Sequence, residues 1–263
     1  MAAESAGAID PMSQFSVNPV VGADWTLFGH NIAFTNSAAF MLVILGVLWV
    51  FMLGGMKRQL VPGRWQAAVE TMTDFVANMI EANIGPKGKK FTPYVFSLFM
   101  FILCANLIGL FPLAVIPGLH AFTVTSHITV TGVLAIMSFS IVLIVGFAKH
   151  GFHFFSLFIP HGTPAILVPL IFVIELVSFL VRPFSLGLRL FVAMTAGHIL
   201  LDVFASFVIQ GLNSGGAIGP VVSLLSFVMI VGVSALEILV AAIQAYVFAL
   251  LTSLYLNDAI NLH

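Results

Sequence analysis

The run from Ile166 to Ile209 constrains this chain more than any other part of it. Roughly 44 residues pass without a charge cluster or turn that would divide them into two crossings, and they make about 66 Å of helix. The apolar core of a bilayer is only about 30 Å thick and takes about 20 residues per crossing. A second run, Val221 to Leu256, amounts to about 54 Å at the same rise per residue. Between them lies the polar turn NSGGAIGP, Asn213 to Pro220. The pattern predicts two long, strongly tilted helices packed as a hairpin, with Pro183 and Gly187 bending the first without ending it. A tilt this large exceeds what helix length alone produces. A partner surface running across the membrane is expected to dictate it.

Composition places the rest of the chain in the same environment. Apolar residues make up 60% of the sequence and charged ones 7%, against about 25% charged in ordinary soluble domains. Mean hydropathy is +1.15. The chain is therefore expected to be a single all-α integral membrane domain. Spans are predicted at 37–55, 91–112 and 128–149, with the long helices at 162–211 and 220–257. Residues 65–84 combine apolar Val69, Met72, Val76, Met79 and Ile80 at helical spacing with Glu70, Asp74 and Glu81. They predict an amphipathic helix at the interface. Residues 1–36 form a polar lead-in without the basic start and apolar core of a signal peptide. Net charge is −1 with no basic tract, so nothing favours nucleic-acid binding. The single cysteine, Cys104, sits in an apolar run and reads as a small lipid- or helix-facing residue.

Basic residues give an orientation. Lys57, Arg58, Arg64, Lys87, Lys89 and Lys90 lie between the first two spans, and Lys149 follows the third. The opposite loops, around Gly118 to His127 and Asn213 to Gly219, hold no Lys or Arg. This predicts an N-terminus outside and a C-terminus inside. It leaves Arg182 and Arg189 unexplained by topology.

Those two arginines follow Glu175 at seven-residue spacing, nearly two helical turns, so all three project from roughly one face. A charge at the bilayer centre costs about 2.5–3.5 kcal/mol on insertion scales, and arginine cannot shed its proton to avoid that cost. Counted outward from the turn of the hairpin, His198 and Glu237 come to similar depth on the outer side. Arg189 and Gln244 match near mid-membrane, and Asp202 lies near the outer end. Titratable His and Glu at depth are the material of a proton relay. A permanent guanidinium cannot relay a proton, but it blocks leakage and attracts a partner's carboxylate. Simpler readings stand beside these. Arg182 snorkels to the inner interface or pairs with Glu175; His198 and Gln244 bridge helices; Asp202 faces solvent. His150, His153 and His161 have metal-ligand spacing without an accompanying Cys, Asp or Glu, which argues against zinc.

In PFSLGLRLFVAMTAGH (Pro183 to His198) and IQAYVFALLTSLYL (Ile243 to Leu256) the sequence resembles subunit a of F-type ATP synthases, over nearly its whole length. The resemblance implies a stator subunit with two offset proton half-channels facing a rotating c-ring. It implies that Arg189 is the essential charge facing the ring carboxylate, with Gln244 beside it and Arg182 in support. His198 and Glu237 would line the outer half-channel, and Glu175 matches a position of the inner one. Expected partners are the c-ring, the peripheral-stalk chains b and b', lipid and translocated protons, in a bacterial inner membrane with the N-terminus periplasmic. No cofactor is expected. The order His198 then Glu237 is similar to alphaproteobacterial and mitochondrial members. Ala193 departs from the family, which commonly has asparagine four residues after the arginine. The chain has no GxxxxGK[ST] loop, so no nucleotide chemistry of its own is expected. The alternative is a proton-coupled secondary transporter for an anionic substrate. That reading predicts inverted repeats and broken helices, and neither is visible in the sequence.

Overall fold

The computed structural model describes residues 19–21, 26–27, 30–31, 34–56, 61–110, 123–158, 167–214 and 218–261. Six long helices dominate: α1 Asn36–Gly55, α2 Arg64–Ile84, α3 Thr92–Leu110, α4 Ile128–His150, α5 Val168–Asn213 and α6 Gly219–Ile260. Five helical segments are long and apolar enough to cross a membrane, and α2 is not among them. The expected all-α membrane architecture is therefore observed. The lead-in adds something unforeseen in four short strands, β1 Pro19–Val21, β2 Thr26–Leu27, β3 His30–Asn31 and β4 Phe34–Thr35. β1 pairs antiparallel with β4, and β2 with β3.

The central helix is α3, whose buried side chains, Val95, Leu98, Phe99, Ile102 and Ala105 among them, leave little of its surface exposed. Helices α1, α2 and α6 pack around it, and α4 closes against α5 and α6. The amphipathic reading of α2 holds at Val69, Val76, Met79 and Ile80, which are buried. Met72 is exposed. It lies at the edge of the apolar stripe, where helical spacing alone cannot decide a side chain's direction. Gln66 is buried instead.

Helices α5 and α6, 46 and 42 residues long, form the most extensive helix pair in the fold. At 1.5 Å per residue they are about 69 and 63 Å long, more than twice the apolar thickness of a bilayer. Pro183 lies inside α5 without ending it, as membrane helices tolerate when neighbours satisfy the backbone. The last turn of α6 carries no basic residue of its own, and α4 supplies them. Lys149 Nζ donates to Ile260 O at 2.7 Å, and the His150 ring meets the same oxygen at 3.1 Å. Cations against a helix C-terminus complement its dipole. These contacts fix the end of α6 that lies beside the basic residues, here called the basic end.

Candidate proton-handling site

Three contacts set the register of the α5–α6 hairpin. Near the turn, Ser223 Oγ donates to Val208 O at 2.9 Å. Further along, His198 Nδ1 stands 3.8 Å from Glu237 Oε1. Toward the basic end, Arg182 Nη1 meets Asp258 Oδ2 at 2.7 Å. Arg189 and Gln244 both lie between the last two contacts, on the facing helices of the hairpin.

The seven-residue triplet divides on folding. Arg182 lies against α6, pairing with Asp258 and stacking over the rings of Tyr255 at 5.1 Å and Phe179 at 5.4 Å. Its expected alternatives, Glu175 or the interface, are replaced by Asp258, which the hairpin delivers from 76 residues away. Arg189 is exposed, while its neighbour Leu190 is buried. Its guanidinium makes no hydrogen bond or ion pair among the described residues, and its charge bears on Tyr255. Glu175 and Gln244 are half-buried.

His198 and Glu237 are a different kind of pair. Glu237 is 2% exposed and His198 9%. Among the described residues neither carboxylate oxygen of Glu237 has a hydrogen-bond partner. A buried carboxylate without donors is costly when ionised, so its surroundings favour the neutral acid over a fixed charge. Asp202, one turn outward of His198 on α5, is half-buried and bears electrostatically on Glu237. The carboxylate has room because residue 197 is glycine: a Cβ there would lie 2.5 Å from Glu237 Oε1. Gly197→Ala is expected to leave the fold intact, since a flexible side-chain end can yield. It should push the carboxylate from His198 and lower passive proton flux in membrane vesicles. Unchanged flux would show that the spacing of the pair is not critical.

Sequence reading missed three residues of the hairpin and its surroundings, two of them beside this pair. Asn106 of α3 is fully buried; its Nδ2 donates to Ala241 O at 3.1 Å, while its Oδ1 has no partner among the described residues. An asparagine inside a predicted span was a legible signal. Thr123 Oγ1 lies 2.6 Å from His198 Nε2, a contact between a loop residue and α5 that no sequence period announces. Asp258, the third, pairs with Arg182 at the basic end, 76 residues away in sequence. Among the described residues no group of three or more His, Cys, Asp or Glu is placed to hold a metal. His161, part of the weighed zinc spacing, lies outside the described residues.

Comparison with known proteins bears on what this arrangement serves. A family model described as ATP synthase A chain matches residues 37–257. A protein of Rhizorhabdus wittichii described as ATP synthase subunit a is 70% identical over the full length of both chains. Its counterpart in Erythrobacter litoralis is 66% identical, again over the full length of both. A third, from Rhodospirillum rubrum, is 46% identical over 96% of this chain and 99% of its own.

Proposed function

This chain belongs to the ATP synthase subunit a family, and from that premise we propose how its own residues carry protons to and from a rotating ring. It is the proton-translocating membrane component of the synthase and not itself the nucleotide-handling enzyme. Membership in this family replaces the secondary-transporter alternative. It is an integral membrane protein with five helices able to cross the bilayer.

The observation that carries the residue-level reading is the buried His198–Glu237 pair at 3.8 Å, on the same helix as an exposed Arg189 nine residues away. A proton enters from the end opposite Lys149, past Asp202, and reaches Glu237 and His198. It then passes, with Gln244 alongside, to a carboxylate of the c-ring. Arg189, projecting from the bundle, meets that carboxylate once it has lost its proton and keeps the two paths apart. On the basic side, Glu175 and Asp258 line the exit, while Arg182 holds Asp258 and the inner end of the hairpin in place. The basic end faces the inside of the bacterial inner membrane, following the bias of Lys and Arg. The peripheral-stalk chains b and b' hold this subunit against the ring.

The direct test is to capture the partner. Val192 is exposed three residues from Arg189. A cysteine there, labelled with a photoreactive maleimide in complex extracted with mild detergent, is expected to cross-link on illumination to a small apolar subunit with one mid-membrane carboxylate. Absence of any such subunit from the purified complex would overturn the reading.

A further inference from the structure

The Thr123 hydroxyl has two neighbours and one proton. Its Oγ1 is 2.6 Å from His198 Nε2 and 3.3 Å from Gly109 O. Gly109 is the last but one residue of α3, so its carbonyl is among the four that no amide of the helix reaches. Gly109 is buried, and among the described residues the Thr123 hydroxyl is the donor to that oxygen. A buried carbonyl left without a donor is costly. The hydroxyl proton therefore goes to Gly109 O, and the lone pair facing Nε2 can only accept. That requires a proton on Nε2 and, in the neutral ring, a bare Nδ1. Nδ1 is the nitrogen that faces Glu237, at a distance about 0.6 Å longer than a hydrogen bond allows.

The surroundings hold Thr123 in this posture. Both the backbone amide and Oγ of Ser126 donate to Thr123 O, at 3.1 and 2.6 Å. Thr195, three residues before His198 on α5, donates to Ser126 O at 3.4 Å. The short turn Val124–Ser126 is thus seated on the face of α5 that carries the histidine. Gly109 completes the fit, since a Cβ there would lie 2.6 Å from Thr123 Oγ1.

Building on the proton-path reading above, we propose that Thr123 is a positioning residue that locks His198 in the Nε2–H tautomer, so that the ring exchanges protons with the Glu237 side through Nδ1 alone. The consequence is mechanistic. Among the described residues, Nε2–H points at Thr123 and, behind it, the Gly109 carbonyl, with no further hydrogen-bonding group in line. A proton taken up on Nδ1 gives an imidazolium and must leave by the same nitrogen. His198 is then a station beside Glu237, not a link through which protons pass from one ring nitrogen to the other.

The test uses the assembled complex with 15N-labelled histidine, the His198 signal being taken as the difference from a His198→Asn sample. The neutral ring is expected to show Nε2 protonated and Nδ1 bare. Thr123→Val keeps the branched shape but offers no acceptor. It should release the tautomer and lower passive proton flux roughly three- to tenfold, the weight of one neutral hydrogen bond. Thr123→Ser should restore both. A proton on Nδ1 in the wild type overturns the proposal, as does a valine variant that changes flux without changing the tautomer, or changes neither. If the valine variant does not assemble, the wild-type spectrum decides alone. Failure of the proton-path reading looks different: Glu237→Gln would then leave flux intact, whatever the tautomer.

Discussion

Replacing Arg189 with alanine is expected to abolish ATP-driven proton pumping by the assembled complex, while ATP hydrolysis by its soluble sector continues. Arg189 is an exposed guanidinium on a mostly apolar helix, without an ion-pair partner among the described residues. Arg182, seven residues away, is already neutralised by Asp258 at 2.7 Å. Arg189 is thus the cation of α5 available to an outside carboxylate. At 4 Å and an effective dielectric of 20, such a pair is worth about 4 kcal/mol, enough to draw a proton off a passing acid. On the proposed reading, its loss leaves a protonated ring carboxylate without a reason to discharge and lets protons cross between the two paths. ATP-dependent quenching of a pH dye in inverted vesicles, measured beside hydrolysis, checks both halves of the expectation. Normal pumping in Arg189→Ala would sink the assignment. Arg189→Lys should recover little, because a desolvated ammonium can lose its proton where a guanidinium cannot.

The second large effect is expected at Glu237. Glu237→Gln preserves shape and removes only the ability to gain and lose a proton. The side chain is 2% exposed, so it exchanges protons through its packed neighbours rather than directly with bulk solvent. Passive flux through vesicles stripped of the soluble sector is expected to fall about a hundredfold or more, the usual weight of a positioned acid–base group. The variant should assemble normally, since an uncharged amide is cheaper to bury than an unpaired carboxylate. Flux at the wild-type level, above all in the double variant with His198→Asn, would show that protons take another route.

These two residues illustrate how unevenly the site was legible. Arg189 stood out because a permanent charge in an apolar run is improbable without a use. Glu237 stood out as a titratable acid in an apolar run, and counting from the hairpin turn was enough to bring it to His198. Sequence reading assigned Arg182 to Glu175 on its own helix or to the interface, when its partner Asp258 waits on α6. Thr123 was invisible, because its meaning lies in one hydrogen bond to a residue 75 positions away.

Sequence alone determined the solvent, the number of crossings, the long hairpin and the charges held at depth. All of these follow from local hydropathy and helical period, which are properties of neighbouring residues. The tertiary structure decided which polar groups meet. It closed His198 on Glu237 through the glycine at 197, turned Arg182 onto Asp258 while leaving Arg189 exposed, and set Thr123 against the far side of the histidine. The reason is geometric: helix contacts depend on register and rotation to within an ångström or two. Those are fixed by the packing of whole faces, which no short stretch of sequence contains.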